Sequence, residues 1–159
     1  METTDILIYE TGSGGEMDIQ NNDLAFAETL YQQAYIALFG GNVESNTKTN
    51  VLFSEERFDY WANSLLWQDD TVKQFNSNTE RVLNTTALNS SGRLTILRAV
   101  EQDLDYMRAI VNLSIEVELP ETDKVRIIVT FTGKTNQQDK VLQLVYDNAK
   151  NEIIIEKII

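Results

Sequence analysis

Carboxylates are the only plentiful reactive groups in this sequence: 25 Asp and Glu stand against 13 Lys and Arg, with no histidine and no cysteine. Glu55-Glu56 and Asp69-Asp70 are the pairs that glycoside cleavage could draw on, since it needs an acid and a second carboxylate several ångströms apart across the scissile bond. Neighbours on a strand point to opposite faces, so the spacing preorganises neither pair, and both read as solvated surface. Asp103 and Asp105 read likewise as a solvated helix face. Without histidine, a Ser-His-Asp or Cys-His machine cannot be built. Without cysteine, thiolate zinc sites, disulfides and thiol nucleophiles are excluded. The expectation is a protein that is not an enzyme, with no catalytic residues, no cofactor and no metal site.

Other motifs resolve in the same direction. Thr11 to Glu16 carries glycines but almost none of the alternating acids of a calcium loop. Gly12-Ser13-Gly14-Gly15 is not followed by the lysine of a phosphate cradle, and its flanks look like two strands, so it reads as a hairpin turn. Asn84, Asn89 and Asn112 each begin a glycosylation pattern, which carries no argument without a secretory signal.

Two stretches stand out as contact surfaces. Phe53 to Trp67 is rich in aromatics and has no clean period; Tyr60, Trp61 and Trp67 are side chains of the kind that anchor interfaces, though a core role fits them too. The chain then ends on Ile153-Ile154-Ile155-Glu156-Lys157-Ile158-Ile159. Strict alternation would give it an Ile153/Ile155/Ile159 face and an Ile154/Ile158 face, both apolar. A strand buried on both sides has that pattern. So does an edge strand that another protein covers by adding to the sheet. Tyr60, Trp61, Trp67, Ile153, Ile154, Ile155, Ile158 and Ile159 are therefore the candidate partner-binding residues.

The elements that must position these residues follow from periodicity. Ile6-Leu7-Ile8-Tyr9 and Met17-Asp18-Ile19-Gln20 read as a short hairpin, Asn21-Asn22-Asp23 as a turn, and Leu24-Ala25-Phe26 as a third short strand. Glu28 to Phe39 turns helical through Leu30, Ala34 and Leu38, with Tyr31 and Tyr35 beside them, and Gly40-Gly41 supplies the stop. Ser77-Asn78-Thr79-Glu80 fits a capping box opening a short helix. The longest helix starts near Asn89-Ser90-Ser91 and carries the stripe Leu97, Val100, Leu104, Met107 and Val111. The last third is β. Leu113/Ile115/Val117/Leu119, Val125/Ile127/Val129/Phe131 and Leu142/Leu144/Tyr146 alternate with polar residues, Pro120 closes the first of these strands, and the isoleucine-rich end is the fourth. No repeat or linker interrupts the chain. The expected fold is α+β in a single domain over residues 1–159: an N-terminal short β-hairpin, central helices and a C-terminal antiparallel sheet of about four strands.

At 159 residues and 42% apolar content the chain can bury a core. The formal charge of -12 disfavours nucleic acid and anionic membranes as partners, since both require clustered Lys and Arg. The acidic start lacks the basic and apolar regions of a signal peptide, and nothing approaches the roughly 20 apolar residues of a membrane span, so synthesis in the cytoplasm is expected. The same charge admits a second reading, an acidic inhibitor or decoy for a basic partner.

The order of elements resembles the small wedge subunit of contractile phage-tail baseplates, in the form found in phage Mu and its relatives, which is related to the lysozyme-like baseplate wedge family. The residues that carry the resemblance are Asp5-Ile6-Leu7-Ile8, Gly15-Glu16-Met17-Asp18-Ile19 and Asn22-Asp23-Leu24-Ala25, then a helix closing with Leu38-Phe39-Gly40-Gly41. A tryptophan segment follows at Phe58-Asp59-Tyr60-Trp61-Ala62-Asn63 and Ser64-Leu65-Leu66-Trp67, then a long helix and the strand Ser114-Ile115-Glu116-Val117-Glu118. The family's glycine before its tryptophan pair and the Glu-Pro-Arg motif of the related wedge proteins are missing here. The resemblance implies structural work in the baseplate ring: binding to larger wedge proteins, and templating of the sheath by a terminal strand in a symmetric assembly.

Overall fold

Alternating apolar residues dictate the largest element of the computed structural model, which describes residues 4–11, 14–39, 77–133, 139–150 and 152–158. The fold is α+β, with N-terminal hairpin-like strands, central helices and a C-terminal four-stranded antiparallel sheet. The chain divides into two compact units, Met1–Ser77 and Asn78–Ile159.

In the first unit three strand segments each bend at one residue. β1 (Thr4–Ile6) and β2 (Ile8–Thr11) flank Leu7, β3 (Gly14–Met17) and β4 (Ile19–Gln20) flank Asp18, and β5 (Asp23–Leu24) and β6 (Phe26–Glu28) flank Ala25. β1 pairs with β6, β2 with β3 and β4 with β5, so each segment serves two neighbours. The three bends close a ring of backbone bonds. Leu7 N–H donates to Ala25 O at 2.9 Å, Ala25 N–H to Asp18 O at 2.9 Å, and Asp18 N–H to Leu7 O at 3.0 Å. All six groups are satisfied where three ladders meet, which a simple hairpin would not need. The β4–β5 turn is Asn21-Asn22, both at positive φ (54° and 64°), the requirement of a type I′ hairpin.

Helix α1 (Thr29–Phe39) follows directly and packs on β1, β2 and β6. Its burial is wider than the single face expected, taking in Tyr31, Gln32, Ala34, Tyr35, Ala37, Leu38 and Phe39. Tyr35 and Phe39, one turn apart, stack at a tilt with ring centroids 5.2 Å apart. Ser77 is buried, and its hydroxyl donates to the Leu38 carbonyl, one of the helix-end acceptors that has no partner inside the helix.

The second unit opens with α2 (Asn78–Thr85) and α3 (Ser90–Asp103). Asn89 is the N-cap of α3 as the sequence suggests, its Oδ1 accepting the Gly92 amide at 2.9 Å. The apolar stripe predicts one helix through Val111, but α3 ends at Asp103, and Asp105–Ala109 forms a 3-10 turn. Val100, Leu104, Met107 and Val111 are nevertheless all buried, because a 3-10 turn also returns a side chain to the same side every third residue.

The sheet runs in the order β10-β9-β8-β7, with β7 spanning Asn112–Glu121, β8 Lys124–Thr132, β9 Lys140–Asp147 and β10 Glu152–Ile158. Val117, Val125, Ile127, Val129, Phe131, Leu142, Leu144 and Tyr146 are buried, and α3 and the 3-10 turn pack against β7. Pro120 lies on this edge strand between Glu118 and Glu121, where the ladder to β8 is irregular and a missing N–H does least harm. Two further bonds bind helix to sheet: Tyr146 OH donates to Asn84 Oδ1 at 2.9 Å, and Arg93 Nη1 donates to the Val117 carbonyl at 3.2 Å. Among the described residues no helix is long and apolar enough to cross a membrane.

Candidate interaction surfaces

Of the candidate acids named from the sequence, Asp103 and Asp105 are among the described residues, and Asp103 is the one drawn inward. It is half-buried, not part of a solvated face, because α3 brings its last turn beside the start of α2. Its Oδ2 accepts the Thr79 amide at 2.7 Å, and its Oδ1 accepts the Asn78 amide at 3.0 Å and the Asn78 side-chain amide at 2.9 Å. Burial pushes its carboxyl up from the ordinary 3.8, and the bonds from Thr79 and Asn78 pull it partly back. A carboxylate on helix amides is a cap from a neighbouring helix, and all three described contacts are spent on structure. Asp105 remains at the surface beside Arg108, at 3.5 Å. Among the described residues no three Asp or Glu gather as a metal site would require. Glu55-Glu56 and Asp69-Asp70 lie outside the described residues.

Two of the three glycosylation-like asparagines have structural roles. Asn84 accepts the Tyr146 hydroxyl and Asn89 caps α3.

The isoleucine-rich end forms β10, an edge strand paired on one side with β9. Its register differs from simple alternation. Ile153 stands opposite Tyr146, Ile154 opposite Val145 and Ile155 opposite Leu144; a bulge between Ile155 and Lys157 then sets Lys157 opposite Gln143 and Ile158 opposite Leu142. On β9, Leu142, Leu144, Val145, Tyr146 and Asp147 are all buried, so its second half is covered on both faces. The extra residue brings Ile158 into the register of Ile153 and Ile155, opposite alternate residues of β9, with Ile154 opposite Val145. Ile153 is half-buried and Ile154 is 41% exposed. Ile159, Tyr60, Trp61 and Trp67 lie outside the described residues.

A second surface was not legible as one. Met17, Ile19, Leu24 and Phe26 are 57%, 68%, 37% and 62% exposed, and all four border the strand junction of the first unit. In the other unit Leu94, Tyr106, Ile110 and Ile154 are the large exposed apolar side chains among the described residues. The signal for the junction is the alternation of Met17/Ile19 and Leu24/Phe26, which fits ordinary short strands equally well.

No protein-family model, no curated protein and no solved structure matches this chain.

Proposed function

We propose that this chain is a structural subunit of a contractile phage-tail or related injection-system baseplate, and not an enzyme. It binds larger wedge proteins and templates the first ring of sheath through β10, working in the virion tail after synthesis in the bacterial cytoplasm. The observation that carries the reading is the form of β10: an isoleucine-rich strand that is, among the described residues, on the edge of a four-stranded antiparallel sheet. Its outer row of backbone groups is a template for one more strand, the geometry of strand addition between proteins. The resemblance of the N-terminal segments and of the helix ending in Leu38-Phe39 supplies the class of assembly. No cofactor, membrane or nucleic acid enters this role.

The bulge between Ile155 and Lys157 fits such an edge. It disturbs flat pairing between copies of the same strand, and so limits unwanted association before the right partner arrives. The test is co-purification of the full chain with sheath and larger wedge proteins, repeated after deletion of Glu152–Ile158 and, in a fold-sparing version, with Ile154→Lys. Loss of sheath attachment with wedge binding retained supports the docking role of β10. Sheath attachment that survives both changes removes it.

A further inference from the structure

Three stretches of the first unit share one pattern, apolar on both sides of the bend: Ile6-Leu7-Ile8, Met17-Asp18-Ile19 and Leu24-Ala25-Phe26. The bends themselves are the corners of the backbone ring. Hydrogen-bonded and non-hydrogen-bonded pairs alternate along an antiparallel ladder, and the corners occupy hydrogen-bonded positions. The next pair outward on each arm is then the closer, non-bonded kind. Those pairs are Ile6 with Phe26, Ile8 with Met17, and Ile19 with Leu24. The period of two sets Ile6, Met17, Ile19, Leu24 and Phe26 on the face opposite the corner residues. The result is a ring of apolar side chains about the junction, with Met17, Ile19 and Phe26 57%, 68% and 62% exposed. An apolar cluster of this kind is a contact surface on a folded protein.

Charge indicates what covers it. From Thr4 to Phe39 the sequence holds six acids, Asp5, Glu10, Glu16, Asp18, Asp23 and Glu28, and no Lys or Arg. By the same period Asp5, Asp18 and Asp23 fall on the corner residues' side, so the charge acts as the field of this segment and not by contact with the ring. A second copy would set two negative fields face to face, and an anionic lipid surface would be repelled in the same way. We propose that this ring is a docking site for another protein whose apolar side chains are flanked by Lys or Arg. It lies in a different unit from β10 and requires no sheath or wedge protein, so it stands or falls apart from the baseplate reading.

The test uses the full chain and two synthetic peptides of equal length, one alternating Leu with Lys and one alternating Leu with Glu, with binding followed by fluorescence anisotropy. The Leu-Lys peptide should bind, and raising the salt from low to high should weaken it about tenfold through screening. Ile19→Ser and Phe26→Ser should each weaken it about tenfold, as loss of an interface anchor does. Leu94→Ser, in the other unit, should change nothing. Both junction positions are exposed, and retained protection of the Leu7, Asp18 and Ala25 amides verifies that the ring persists; Ile19→Thr, which keeps the β-branch, replaces Ile19→Ser if it does not. Wild-type affinity in the junction variants overturns the proposal, as does equal binding of the two peptides, or no binding of either. Self-association of the chain that Phe26→Ser abolishes also overturns it, in favour of a second copy.

Discussion

The Asp103 carboxylate lies 2.7 Å from the Thr79 amide, so the last residue of α3 caps the first turn of α2. The two helices of the second unit are thereby joined end to start by a charge-assisted bond, and α3 stops where that bond is made.

Asp103→Ala should destabilise the second unit by about 1–2 kcal/mol, the ordinary range for loss of a helix cap. The pH dependence has a definite sign. The folded carboxyl titrates above its ordinary 3.8, so the folded state holds the proton more tightly than the unfolded one. Across the window from the raised value down to 3.8, falling pH should stabilise wild type relative to Asp103→Asn, and rising pH should reverse this. Paired denaturant titrations of the two proteins over that interval measure it.

Gly92 sits beneath the Ala87 carbonyl, and a Cβ built there would meet that oxygen at 2.0 Å. Alanine in a helix normally gains about 1 kcal/mol over glycine. Here the sign should reverse, with Gly92→Ala costing about 1–3 kcal/mol as the Ala87 turn is displaced. Thermal unfolding of the variant distinguishes the two outcomes directly.

Tyr146→Phe removes the hydroxyl that bonds Asn84 and leaves the ring in the core. The expected loss is about 0.5–1.5 kcal/mol, read from the denaturation midpoint. Because Asn84 is exposed and can turn to water, the loss should lie near the lower end of that range.

The Asn21-Asn22 turn sets the third arm of the strand junction. Asn21→Val places a β-branched residue at φ 54° and should cost about 1–2 kcal/mol locally, whereas Asn22→Gly should be tolerated. Faster amide exchange at Ala25, whose N–H donates to Asp18 O, in the valine variant and not in the glycine variant is the expected readout.

Much of this fold was legible because the signals are local. The alternation of Val125, Ile127, Val129 and Phe131 marks a buried strand face without any knowledge of its neighbours, and Asn89 announces a helix start through its own side chain. What escaped depends on pairing between distant residues. Asp103 reads as solvent-facing because nothing near it in sequence shows that Asn78 and Thr79 will arrive. The rephasing of Ile158 needs the register to β9, which a one-residue bulge alters. The junction of Leu7, Asp18 and Ala25 looks like three ordinary short strands, since only their mutual hydrogen bonds reveal that each strand serves two partners. Tyr60, Trp61 and Trp67 are candidate anchors by residue type, and they lie outside the described residues.

Hydrogen–deuterium exchange on the full chain, alone and mixed with sheath and larger wedge proteins, tests the central claim most directly. The account predicts slowed exchange along Glu152–Ile158 on adding sheath protein, as a new strand pairs with the open side of β10, with β8 amides unchanged. Unaltered exchange along β10 in a mixture where the proteins demonstrably associate would contradict it.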